Sequence, residues 1–446
     1  MAATRRSSVF YRSPVGFYPQ IVRGEGSYLW DDQGNRYLDL SGGISATMLL
    51  GSGRPEIAEA LASQARRLPF IHNSRVTNDR QEEFAARLVQ LAPPGISRVM
   101  FSSGGSEANE VALRISRQYH LARGNPKRWK VIGLDMSYHG ATMGALAMTG
   151  RPGIRHDYLP YLNAFPHIES PITFRGPLRG LDAKEAALRA ASRLSDTIEN
   201  EGPETVAAFI AEPISASRGE ALAPDGYWTL IREICDRYGI LFIADEIVTG
   251  VGRTGGLLCF SHFGIKPDLT TLAKGLGAGY TPLGATLVSD RVADTIAEGG
   301  REMQELHTYS GNPLSCAVGV AVLDIIEKEG LLEVAEPKGT YAGQLMDEYL
   351  GDLPWFGERR GMGLLRGVEW VRSRETRDPF AKELDVANKL WAGMWRHGVV
   401  MGSLRHDNPL VGDFTVLSPA LTVSEADLEH GIKVLREVAV EVMGAS

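Results

Sequence analysis

The sequence predicts an α/β protein built on a mostly parallel sheet with helices on both faces, and three observations carry that expectation. Short apolar runs, Arg98–Phe101, Val131–Leu134, Val206–Ala211 and Ile240–Ala244, alternate with helix-period segments over about 250 residues. The chain has 446 residues, 43% hydrophobic and 23% charged, enough to bury one large core and a smaller one. No stretch of roughly 18 consecutive apolar residues interrupts the pattern, so no membrane span is expected.

Taken in order, Met1–Ser13 contains Arg5, Arg6 and Arg12 with no apolar segment behind them. That points to a cytoplasmic protein, with a cleaved basic presequence as the lesser alternative. Gln20–Gly26, Tyr28–Trp30 and Arg36–Leu40, separated by turn residues such as Asp32–Asn35, read as short antiparallel strands. From Glu56 a helix is expected with Ile57, Ala60, Leu61 and Ala65 on one face. Ser170–Gly202, polar and proline-containing, is the expected variable excursion. Asn312-Pro313 should cap a long apolar helix that runs to Glu329 and stops at Gly330. A last helix should open at Ser424-x-x-Asp427 and turn Leu428, Ile432, Leu435, Val438 and Val442 inward. These breaks divide the chain into an N-terminal segment (1–55), a large α/β domain (56–312) and a linking helix with a C-terminal small domain (313–446).

The formal net charge of −7 is spread along the chain, leaving no basic stripe for nucleic acid and no polybasic segment for a membrane surface. Cys235, Cys259 and Cys316 stand alone, without CxxC spacing or nearby histidines, and read as buried thiols rather than metal ligands.

The chemistry concentrates at strand ends. Ile240–Ala244 runs straight into Asp245 and Glu246, and in a parallel sheet the ligand crevice lies at the carboxyl ends of strands. Alone, such an acid is usually a solvated turn. Lys274 changes that reading, because Thr271–Gly279 is apolar and glycine-rich and offers its ammonium no solvated face. A desolvated lysine is an amine nucleophile toward an aldehyde, and a carboxylate facing a pyridine nitrogen keeps that nitrogen protonated. Lysine plus carboxylate is the pair that pyridoxal 5'-phosphate requires. Its phosphate needs backbone donors, which a glycine turn opening a helix at Gly105 and Ser106 can supply. Tyr138-His139-Gly140, just past an apolar run, adds an aromatic able to stack on a flat ring.

These segments resemble the class III pyridoxal-phosphate-dependent aminotransferases of fold type I, in order and along nearly the whole chain. The matching stretches are Leu29–Asp39, Gly105-Ser-Glu-Ala-Asn, Ser137-Tyr-His-Gly, Ala211-Glu-Pro, Asp245–Gly255, Leu272-Ala-Lys-Gly and Thr308-Tyr-Ser-Gly-Asn-Pro. The resemblance implies a large sheet domain and a small α+β domain drawn from both termini. It implies catalytic roles for Lys274, as the Schiff-base and proton-shuttling lysine, and for Asp245, paired with the pyridinium nitrogen. Tyr138 and Ile247 would sandwich the ring, His139 and Glu212 would lie beside the cofactor, and Gly105 and Ser106 would hold the phosphate. Thr308 would join them from a second subunit, which implies a homodimer with sites at the interface.

The departures are Gly104, in place of a hydroxylated residue, His307 in place of an aromatic, and Asn312 in place of histidine. Arg405, followed by an insertion, stands near the position of a mobile arginine that clamps an acceptor carboxylate. The entrance stretch Ser41–Leu50 lacks tryptophan, leaving room for a bulky donor. The function expected is transfer of an amino group from a primary amine, diamine or (ω-)amino acid to a keto acid, pyruvate or 2-oxoglutarate, by a ping-pong cycle. The same residues would also serve an amino-acid racemase, an aminomutase or a decarboxylating aminotransferase, and more distantly a cofactor-binding regulator. A dinucleotide enzyme would need G-x-G-x-x-G after the first strand, and none is present.

Overall fold

Val206–Ala211 and Leu241–Asp245 are buried at every residue, which a strand can be only when both of its faces are covered. The computed structural model describes residues 7–13, 18–300, 302–303, 307–405 and 412–444. It places these two strands at the middle of a seven-stranded sheet in the order Ile96–Ser102, Gly284–Ser289, Leu269–Leu272, Leu241–Asp245, Val206–Ala211, Lys130–Leu134, His167–Ile168. Gly284–Ser289 runs antiparallel to both neighbours and the other pairings are parallel. All four apolar runs expected to be strands lie in this one sheet.

The period of two along a strand sorts side chains between two cores. Phe209, Ala211, Phe242 and Ala244 pack on one face, while Ala208, Ile210, Leu241 and Ile243 pack on the other. The first face is roofed by Ala183–Glu201 and Tyr227–Tyr238, and the second by Gly105–Ala122. Ala183–Glu201 makes up most of the stretch expected as a variable excursion. Asp182 caps it by accepting the Glu185 N–H, and Ala186, Ala190, Leu194 and Ile198 form its buried stripe. Alanine-rich stripes of this kind carry little hydrophobic signal, which is why polarity dominated the reading of that stretch.

Two smaller sheets flank the large one. Ile21–Glu25, Tyr28–Asp31 and Arg36–Asp39 pair antiparallel, and Val399–Val400, from the far end of the chain, adds in parallel against Arg36–Asp39. Phe356–Met362, Leu365–Trp370, Asp413–Leu417 and Gly402–Leu404 form an antiparallel sheet. Pro313–Lys328 packs against the helices Pro55–Arg67 and Asp79–Leu91 and is capped by the Asn312 side chain, which accepts the N–H groups of Leu314 and Ser315. The last helix, Glu425–Met443, is capped by Ser424 at the Asp427 N–H. Its Leu428, Ile432, Leu435 and Val438 are buried and Val442 half-buried. In Pro55–Arg67 the buried face differs by one residue from that expected. Ala65 is exposed and Gln64 is buried, its amide satisfied by the Leu68 carbonyl at 2.9 Å.

Candidate active site

The carboxyl ends of the central strands open on a cavity of about 640 Å³ whose wall includes Tyr138, His139, Glu212, Asp245, Ile247 and Lys274. Asp245 is the last residue of Leu241–Asp245 and is only 4% exposed. Three donors orient it. Asn109 Nδ2 and His139 Nδ1 lie 2.8 Å from Oδ2, and the Ile247 N–H reaches Oδ1 at 3.1 Å. A carboxylate only accepts, so the imidazole proton facing it sits on Nδ1. Asn109 is itself held, donating to the His139 carbonyl at 2.7 Å and accepting from Thr271 Oγ1 at 2.9 Å. Glu246, the next residue, points elsewhere and accepts the N–H groups of Cys259 and Phe260. Of the two carboxylates at this strand end, one serves the cavity and the other ties down a turn.

Lys274 follows Leu269–Leu272, the neighbouring parallel strand, with φ 44°, a left-handed conformation costly for a residue with a side chain. Burial pulls its pKa below the ordinary lysine value, against the opposing charges of Asp245, Glu212 and Glu220. Glu212 follows Val206–Ala211 and accepts the Tyr138 N–H at 2.9 Å. Burial raises its pKa to about 7.

The helix Gly105–Ala122 starts at the same cavity, and Gly104, Gly105 and Ser106 line it. No side chain caps that helix, so its first-turn N–H groups and positive end are left for an anion. A Cβ on Gly105 would sit 2.7 Å from Ile247 Cδ1, so a side chain there would make Ile247 shift. A Cβ on Gly104 would meet nothing, so the missing hydroxyl at that position is not imposed by packing. Ser106 Oγ accepts the Ala141 N–H at 3.1 Å, which ties the start of this helix to the Tyr138–Gly140 turn.

An amine, an oriented carboxylate and an uncapped helix end thus converge on one cavity, and residues 12–439 match the family Aminotransferase class-III. The chain is a class-III aminotransferase. It is 34% identical over 418 residues to the putrescine–pyruvate aminotransferase of Pseudomonas aeruginosa, covering 94% of this chain and 89% of that one. Among solved structures it superposes on an (S)-enantioselective ω-transaminase from Thermomicrobium roseum with TM-score 0.90 and 39% identity, covering 96% of this chain and 93% of that one. The ω-transaminase of Pseudomonas jessenii in complex with PMP gives TM-score 0.90 at 32% identity, with the same coverage of 96% and 93%. The fold is therefore that of the fold type I transaminases.

In this aminotransferase Gly105, Ser106, Tyr138, His139, Glu212, Asp245, Ile247, Lys274 and Arg405 all line the same cavity. Thr308 does not; it is exposed, outside its own chain's cavity. Arg405 is engaged, donating to the Phe380 carbonyl and to Asp413 Oδ2, each at 2.9 Å. The residues that follow it, 406–411, lie outside the described residues. Asn109, Glu220, Arg12 and Arg151 also belong to this site and carried no role in the sequence reading. For Asn109 a signal existed, an amide inside the apolar stripe of Val111, Ala112 and Ile115. Arg12, Arg151 and Glu220 gave none, since each stands in a turn-rich segment whose destination is set by distant packing. Among the described residues no group of three or more His, Cys, Asp or Glu could hold a metal, and no helix is long and apolar enough to cross a membrane.

Proposed function

We propose that this aminotransferase moves an amino group from a primary amine, a diamine or an (ω-)amino acid to a keto acid, pyruvate first and 2-oxoglutarate second, in a ping-pong cycle with pyridoxal 5'-phosphate. The observation that carries the reading is the meeting of Lys274, Asp245 and the open end of helix Gly105–Ala122 in one cavity. When bound, the cofactor supplies an aldehyde for the amine and a protonated pyridine ring that takes up an electron pair.

The chain's own groups then divide the work. Lys274 Nζ anchors the cofactor and, once a donor amine has displaced it, carries the proton removed from the amine-bearing carbon. Its lowered pKa favours that exchange, because a neutral amine is both nucleophile and base. Asp245 faces the pyridine nitrogen, with His139 and Asn109 holding its Oδ2. Tyr138 and Ile247 would bound the ring, and Gly105 and Ser106 would hold the phosphate through the helix end. Glu212, tied to the Tyr138 backbone, sets the side of the pocket next to the ring.

Arg405 receives the acceptor's carboxylate by leaving Asp413, a swing that a mobile guanidinium on a loop permits. Thr308 completes the phosphate site of a neighbouring copy, so the working unit is a homodimer with two sites; its exposed position supports this. Three free thiols, all buried, accord with a cytoplasmic enzyme.

The test is a half-reaction. Purified protein loaded with cofactor should lose its visible absorbance with a reactive amine and regain it with pyruvate. Racemisation of an amino acid without consumption of keto acid would reject the reading in favour of another reaction on this scaffold.

A further inference from the structure

Glu220 is an oddity of the cavity wall. It follows Gly219, and both residues are left-handed, with φ 64° and 65°. Glycine takes that conformation freely, and glutamate does not. The turn is locked from outside, because a Cβ on Gly219 would press on Phe414 at 2.8 Å and one on Gly367 would meet the Gly219 carbonyl at 2.2 Å. The chain therefore holds a strained residue where a glycine would serve the turn better, and it directs a carboxylate into the cavity.

That carboxylate is 2% exposed, and among the described residues its Oε2 has no hydrogen-bond partner. The nearby guanidinium groups make no hydrogen bond to it: Arg253 donates through Nη1 to the carbonyls of Leu364 and Pro419, and Arg360 is paired with Glu358 and Glu369. Burial and the neighbouring Glu212 raise the Glu220 pKa to about 8, against the charges of Lys274, Arg253 and Arg360. Glu212 and Asp245 each already accept a backbone N–H, so Glu220 is the carboxyl group of this wall left without a donor. An unpaired buried carboxylate is costly, and a ligand that brings a cation removes the cost.

We propose that Glu220 is a specificity-determining residue, its carboxylate receiving the second ammonium group of a diamine donor. The inference rests on the aminotransferase reading and narrows its donor. A diamine presents one nitrogen for transfer and a second that forms a charge-assisted hydrogen bond with Glu220. A monoamine of equal length leaves Glu220 unsatisfied.

The test compares 1,4-diaminobutane with 1-aminobutane, using pyruvate as acceptor and holoenzyme throughout. The native protein should favour the diamine in kcat/KM by more than about tenfold, and Glu220→Gln should reduce that ratio by about tenfold or more. A structural role alone would lower both rates together and leave the ratio in place. The apparent affinity of the holoenzyme for the two amines, read from the saturation of the absorbance change without acceptor present, should show the same preference and the same loss in Glu220→Gln. Equal reactivity of the native protein with both amines, or a ratio unmoved by Glu220→Gln, would overturn the inference alone. Absorbance that no amine changes would overturn the aminotransferase reading and this inference with it.

Discussion

The floor of the cavity and its rim are built on different principles. The floor consists of buried residues at the ends of adjacent strands: Asp245 is paired in register with Thr271, three residues beyond which the chain reaches Lys274, and Ala244 is paired with Ala211, which precedes Glu212. The rim consists of loop residues, several of them exposed: Arg12, Ile44 and Ser45 of the entrance stretch, Leu404 and Arg405. There Ile44 and Ala46 are held left-handed, with φ 66° and 57°, in a loop that Asp39 secures by accepting the N–H groups of Ser41 and Gly43. A sheet fixes its strand ends to within a fraction of an ångström, which suits proton transfer, whereas loops can alter without cost to the sheet, which suits the choice of substrate.

The sharpest way to break this comparison is at Lys274. Lys274→Ala should fold and yet lose turnover by at least about 10³-fold, together with the visible absorbance of bound cofactor. A yellow, active variant would show that the floor has been misread. Asp245→Asn comes next, with an expected loss of about 10²–10³-fold in kcat, measured with one amine at saturation. At the rim the effects should be smaller and selective. Arg405→Ala should raise KM for pyruvate about tenfold relative to an aldehyde acceptor without a carboxylate, and a parallel rise for both would remove the clamp assignment.

Asn109→Ala probes the support of the floor. It leaves Asp245 and Thr271 each short of a partner, and should cost about 1–3 kcal/mol of stability in a denaturant titration. The smallest effect concerns pH. Burial holds Glu212 and Glu246 up to about 7 and Glu220 up to about 8, above their ordinary 4.5. Groups raised in this way stabilise the fold in their protonated form. Their contribution is present below pH 4.5 and is lost as pH rises through 7 to 8. Cofactor-free protein should therefore melt lower at pH 9 than at pH 6, and Glu220→Gln should flatten the upper part of the decline. A melting curve independent of pH would contradict the burial of these carboxyls.

The caps and periods that make single elements act over a few residues, and they could be read along the chain. Asn312-Pro313, Ser424-x-x-Asp427 and the four apolar runs all form the elements expected of them. Asp245 and Lys274 were legible for a related reason, since an acid ending a buried strand and a lysine in an apolar, glycine-rich turn are each conspicuous against their own neighbours. Even local signals were incomplete: Gln64 displaced Ala65 from the buried face because its amide could bond the helix's own end, and Ala183–Glu201 hid a core-facing helix behind a polar composition.

By itself, then, the order of residues determined the elements, the fold class and two groups, Asp245 and Lys274, that meet in the cavity. Tertiary structure alone decided what stands behind and around them. Asn109 comes from a helix and His139 from a turn to share one oxygen of Asp245, and Glu220 is carried into the cavity by a turn locked against Phe414 and Gly367. Such convergence depends on packing between segments more than 100 residues apart, such as Asn109 and Asp245, whose separation is 136 residues. Short-range spacing in the sequence carries no record of it, because the energy that brings those segments together comes from burying the cores between them.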